Sequence, residues 1–109
     1  MSHAIALHGG AGTIAPELLT PELEKAYLHG LDLAISAGNK ILLANGSATE
    51  AVAVAVIELE NYPLFNAGKG AVFNHVGKHE MDAAIMQGVD LMAGTVAGVK
   101  NIKNPILLA

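Results

Sequence analysis

The residues with chemical potential in this sequence lie in four places. The first is residues 59–74, LENYPLFNAGKGAVFN. Two glycines, a proline and three asparagines interrupt any helical or strand period there. An irregular run of this kind inside an apolar chain is usually a working loop. Asn66 stands between Phe65 and Ala67, where an amide either serves a site or caps a turn. The second is HGGAGTIA, residues 8–15, with Gly10-x-Gly12-x-x-Ala15 after a short apolar run. A dinucleotide fingerprint has this spacing. It also needs a helix to open at once, so that its N-terminus holds a pyrophosphate. Pro16 and Thr20-Pro21 put the helix start later, and Asp32 falls in a helix rather than at the end of a second strand. A tight glycine turn beside a site is the plainer reading. The third is His75, His79, Glu80 and Asp82. His at i and i+4 would face one metal from a helix, but Gly77 argues for a loop with solvated histidines. The fourth is Gly94-Thr95-Val96. A threonine becomes a nucleophile when its own N-terminal amine is the base. Only 14 residues follow Thr95, too few for a second sheet and an oxyanion hole, and Thr in a β-rich run is ordinary strand composition.

These residues need elements to position them. Residues 4–8, AIALH, are apolar and closed by Gly9-Gly10, which predicts a buried strand. Thr20-Pro21-Glu22 is a helix start, with Thr as N-cap and Pro in the first turn. Leu23, Tyr27, Leu31, Ala34, Gly38 and Ile41 recur at helical spacing up to Asn45-Gly46. Gly30 and Gly38 each cost about 1 kcal/mol in a helix interior; close packing against a neighbour and a break both remain open. Ser47-Ala48-Thr49-Glu50 is a capping box. The helix it opens runs to about Glu60, with Val52, Ala55, Val56 and Leu59 on one face. Ala53, Val54 and Ile57 make the other side apolar, so burial on both sides is predicted. Residues 80–88 and 91–99 read as strands of a hairpin joined by Gly88-Val89-Asp90. Asn104-Pro105 announces a further helix, with Asn as its cap.

Composition bounds the class. Of 109 residues, 52 % are hydrophobic and 15 % charged, and the mean hydropathy is +0.45. That is rich for a small domain, which has much surface for its volume. The apolar excess calls for a protein partner or more chain, because no apolar run reaches the roughly 18 residues that span a bilayer. The net charge of −4, without a basic cluster, offers no nucleic-acid footprint. Absence of cysteine excludes disulfides and thiolate metal sites. The N-terminus has no secretory leader pattern, so the cytoplasm is the expected location.

HGGAGTI, PLFNAGKGAVFN, HEMDAAIM and AGTVAGVKNIKNPILLA occur in this order between residues 8 and 109, within a resemblance that runs from Ala4 to Ala109. Together they make the sequence resemble the plant-type L-asparaginase/isoaspartyl peptidase family of threonine-type N-terminal-nucleophile hydrolases. The resemblance implies an α/β chain, part of a four-layer αββα sandwich, in which residues 1–109 are the N-terminal part of an α subunit. Family precursors cleave themselves into α and β subunits. The nucleophilic Thr, the substrate-anchoring Arg and Asp and the oxyanion donors belong to the β subunit, absent here, and αβ units pair into heterotetramers. The implied activity is hydrolysis of β-aspartyl peptides and of the side-chain amide of L-asparagine, with this chain inactive by itself. Residues 59–70 would wrap a structural sodium ion with the backbone carbonyls of Leu59, Glu60, Tyr62, Phe65, Ala67 and Lys69; no catalytic cofactor is implied. Helix ends leave orphan carbonyls and hard cations take oxygen ligands, which agrees with that set. Asn66 would support the catalytic Thr, with Gly9 and Gly10 on the floor of the same site, while Thr95 corresponds to a strand position. A glycosylasparaginase-like hydrolase is the alternative within the family, disfavoured by the missing leader and cysteines, and a dinucleotide-binding module is the remote one.

Overall fold

A computed structural model describes residues 2–12 and 15–109. Two helices, a two-stranded hairpin and three single 3₁₀ turns account for its regular structure among those residues.

Helix α1 is Pro21–Leu43. Thr20 Oγ1 accepts the Leu23 N–H at 3.1 Å, and Pro21 loses nothing at a position whose N–H has no intrahelical acceptor. Asn45 in the left-handed region, φ 60°, closes it. The helix is unbroken through Gly30 and Gly38, so close packing is what those glycines serve. A Cβ on Gly38 would lie 2.6 Å from Ile5 Cδ1 and 2.9 Å from the Ala51 carbonyl. One on Gly30 would lie 2.7 Å from the Tyr62 ring and 2.8 Å from that of Phe65.

Helix α2 is Ala48–Asn61. Its capping box is complete: Ser47 Oγ accepts the Glu50 N–H at 3.1 Å, and Glu50 Oε2 accepts the Ser47 N–H at 2.9 Å. α2 packs along α1 through Ala51 and Ala55, both buried against the glycine face. The predicted burial on both sides is not observed. Only Ala51, Ala55 and Glu60 are buried, Val52 is 41 % exposed and Ala53, Val54 and Ile57 are half-buried, because α1 packs on one face while the hairpin and the 3₁₀ turns cover the rest of the helix only in part.

Strands β1, Met81–Met86, and β2, Ala93–Val99, form the antiparallel hairpin, trimmed at both ends relative to the sequence expectation. Asp90 ends the pairing early. Its carboxylate accepts the Met92 N–H at 3.1 Å and the Gln87 side-chain N–H at 3.2 Å, and Leu91 turns the chain at φ 61°. The register slips between Met81 and Ala83. Gly98 takes φ +63° there, and its N–H donates to Asp82 Oδ1 at 2.7 Å, a bulge held by a side chain.

Two expectations are corrected. Residues 4–8 are not a strand. Ile5 and Leu7 are half-buried and their neighbours exposed, so the alternation is present, but no neighbouring strand among the described residues completes a ladder with their N–H and C=O groups. Asn104 does not cap a helix. Pro105–Leu107 is a 3₁₀ turn with no side-chain cap, and the Asn104 amide is drawn away to Glu60 and Asn61 at 3.0 and 3.1 Å. The observed class is α/β. No helix of the described residues is long and apolar enough to cross a membrane.

Candidate active site

The loop that follows α2 is tied to α1 by aromatic residues. Tyr62 Oη donates to the Ala26 carbonyl at 2.6 Å. The Phe65 ring, 6 % exposed, lies edge-on to Tyr27 at 5.9 Å and 5.6 Å from Tyr62. Beyond Phe65 the chain doubles back. Ala67 N–H donates to the Phe65 carbonyl at 2.8 Å, Gly70 N–H to that of Ala67 at 3.0 Å, and Ala71 N–H to that of Gly68 at 3.1 Å. Gly68 adopts φ +48°, and a Cβ there would overlap the Glu60 carbonyl and lie 2.7 Å from Glu60 Cβ. A Cβ on Gly70 would overlap the Phe65 carbonyl and lie 2.6 Å from that of Pro63. Only hydrogen fits at either position, so the two glycines let the loop close on its own main chain. Asn66 Oδ1 accepts the Val72 N–H at 3.0 Å, which fixes the amide across the turn.

The Gly9-Gly10 turn reaches this loop from the other end of the chain. Gly10 has φ +105°, and its N–H donates to His8 Nδ1 at 3.1 Å. A Cβ on Gly9 would lie 2.8 Å from Leu31 Cδ2 and 3.3 Å from Phe65 Cε1, so the turn rests on the Phe65 ring. Between them opens a cavity of about 400 Å³ whose walls include Gly9, Gly10, Tyr27, Phe65, Asn66 and Gly70. The three residues that sequence reasoning named for a site, Gly9, Gly10 and Asn66, are brought together. Tyr27 was read only as part of the apolar face of α1. No signal in the sequence separates it from the other apolar positions of α1, because its approach to the glycine turn comes from tertiary packing. Thr13 and Ile14 of the glycine motif lie outside the described residues.

The other candidates go elsewhere. Thr95 is an exposed position inside β2. His79 stacks on Phe73 at 4.3 Å. Asp82 serves the β2 bulge. The Asn74 side-chain amide, and then the Lys100 ammonium 3.0 Å away, hold the Glu80 carboxyl below its ordinary value. No group of three His, Asp or Glu able to hold a metal occurs among the described residues. The dinucleotide reading fails on geometry: a 3₁₀ turn, Pro16–Leu18, precedes α1, and no helix opens at the glycine turn among the described residues.

The cavity presents an amide, a phenol and main-chain groups. Among the described residues, no nucleophile paired with a base lines it, so those residues can orient and stabilise a reacting group but not attack one.

Comparison with known proteins identifies the family of the chain. The model of the family described as "Asparaginase" matches residues 1–109. An isoaspartyl peptidase of Salmonella typhimurium is 48 % identical over 105 residues, 96 % of this chain and 34 % of the relative. A plant-type L-asparaginase of Pyrococcus abyssi is 51 % identical over 106 residues, 97 % of this chain and 33 % of the relative. An isoaspartyl peptidase/L-asparaginase of Xenopus laevis is 46 % identical over 109 residues, 100 % of this chain and 34 % of the relative. The chain spans about a third of the length of the curated relatives it matches.

Proposed function

The chain belongs to the asparaginase family, and from that premise we propose that the whole protein hydrolyses β-aspartyl peptide bonds and the side-chain amide of L-asparagine. The similarity to relatives named for these activities, across nearly all of this chain, is the observation that carries the reading. The cavity between the Gly9-Gly10 turn and Asn66 supports it. In this reading the chain is the first part of an α subunit released by autocatalytic cleavage, and the nucleophile is the N-terminal Thr of a β subunit. Its hydroxyl attacks the substrate carbonyl while its α-amine takes the proton. The Asn66 amide, fixed through Val72, orients that threonine from the α side, and the glycine turn lets main chain approach it closely. An assembly of two αβ units, acting in the cytoplasm, completes the proposal.

A four-layer αββα sandwich suits the observed elements. The hairpin has two open edges among the described residues, and a two-stranded sheet by itself is marginal in water. Val52 of α2 is left 41 % exposed in the same way.

Structural sodium is part of the reading. The loop fits a hard cation on chemistry: its closed turn is lined by main-chain carbonyls and has no room for a Cβ at Gly68 or Gly70. Among the described residues, the carbonyls of Glu60, Tyr62 and Lys69 accept no backbone N–H, while those of Leu59, Phe65 and Ala67 each accept one and keep a second lone pair. These six carbonyls would hold the ion, which would order the loop.

Protein expressed from its complete reading frame should release aspartate from β-aspartyl-leucine and ammonia from L-asparagine. Release of neither above a buffer blank overturns the reading.

A further inference from the structure

Glu60 is the one charged side chain buried among the described residues, at 3 % exposure. No ammonium or imidazole lies within ion-pairing distance of it among those residues. A carboxylate out of water and without a counter-ion must be held by N–H donors. Both donors here come from one short segment. Ile106 N–H donates to Oε1 at 3.0 Å, and the Asn104 side-chain amide donates to Oε2 at 3.0 Å while also reaching Asn61 Oδ1 at 3.1 Å. Pro105, between them, is fully buried and Ile106 is 5 % exposed. On its main-chain side the same Glu60 is in contact with Gly68. A cavity of about 260 Å³ is walled by Glu60, Asn66, Ala67, Gly68 and Pro105 together.

We infer that Glu60 is a positioning residue: its buried carboxylate pins residues 104–106 behind the 62–71 loop and thereby holds Asn66 in the orientation that faces the Gly9-Gly10 turn. Its kinetic consequence rests on the proposed hydrolase function; its structural consequence does not. Pro105 has no N–H of its own, and only Ile106→Pro would remove the Ile106 N–H, at the cost of the backbone itself, so the Glu60 carboxylate and the Asn104 amide are the elements to change. Asn104, expected as a helix cap, acts here as the second half of the clamp.

The test is amide hydrogen exchange on protein from the complete reading frame, paired with steady-state kinetics. Glu60→Gln sets an N–H₂ against one of the two N–H donors. The amides of Ala67, Gly70, Ala71 and Val72 should then exchange at least about tenfold faster, which is about 1.4 kcal/mol of local stability. Amides of α1 between Gly30 and Gly38 should keep their native rates, and kcat should fall with KM unchanged. Native exchange at the four loop amides overturns the inference whatever the activity. Equal loss of protection in α1 and the loop also overturns it, since it would mark a general structural role. A native protein with no hydrolase activity overturns the proposed function and leaves the exchange result to decide this one. If Glu60→Gln does not fold, Asn104→Ala removes the amide's bonds to Glu60 and Asn61 and spares the carboxylate and its bond to Ile106. The same amides should then exchange at least about threefold faster, and unchanged rates overturn the inference.

Discussion

Gly30→Ala should destabilise the protein, although in an exposed helix the same change is stabilising. Helix propensity favours Ala by about 1 kcal/mol. Against it stands the space that the new methyl would enter, 2.7 Å from two carbons of the Tyr62 ring and 2.8 Å from Phe65 Cε2. Contacts that short require a neighbour to move. Tyr62 is tethered at its far end by the 2.6 Å bond to the Ala26 carbonyl, on the same helix that would push it away. Phe65 is buried and backed by Tyr27. Overpacking a well-filled site costs about 1–3 kcal/mol, and with both rings held the upper half of that range applies. The net expectation is a loss of about 1–2 kcal/mol, the steric cost less the propensity gain. Urea unfolding of the variant and the native protein measures it. Gly88→Ala is the control: no atom lies within 4 Å of its Cβ position, so it should be neutral or more stable by up to about 1 kcal/mol. Gly30→Ala equal to or more stable than native would refute the claim that the aromatic residues of the loop dictate glycine in α1.

Asn66→Ala removes the acceptor for the Val72 N–H and should lower kcat roughly ten- to hundredfold, the equivalent of about 1–3 kcal/mol. Asn66→Asp keeps that acceptor and exchanges the N–H₂ for a charged oxygen, so a native kcat in Asn66→Asp would show that the amide merely closes the turn. The Ser47 N–H and hydroxyl hold the Glu50 carboxyl below its ordinary value of 4.5. A group with a depressed folded-state pKa stabilises fully above its unfolded value and loses that contribution as pH falls through the folded one. The native protein should therefore lose more stability than Glu50→Gln on acidification below about pH 4.5, and parallel pH curves would contradict the capping assignment. The 109-residue chain by itself should associate in sedimentation and show no amidase activity. Val89 and Met92 are 86 % and 71 % exposed, both hairpin edges are open, and Thr95 is internal to a strand; a monomer with a cooperative transition would count against this.

Some of this molecule is written locally. Thr20-Pro21 and Ser47 to Glu50 set the starts of both helices because caps are satisfied within one turn of chain, so sequence suffices to find them. The hairpin was legible for the same reason, since its turn residues and alternation are local. The glycine turn and the 62–71 loop were recognisable as unusual, and their family resemblance pointed to one site. What tertiary structure alone decided is how distant residues meet. Whether Gly30 and Gly38 break α1 or admit neighbours depended on Tyr62, Phe65, Ile5 and Ala51, none of them close in sequence to the glycine each one touches. Residues 4–8 have the alternation of a strand, but a strand exists only with a partner to complete its hydrogen bonds. Asn104 has the local signature of a cap, yet its amide goes to Glu60, 44 residues away. A buried carboxylate leaves water only where N–H donors replace it, and which donors those are is settled by the packing of the whole chain, not by the residues beside it.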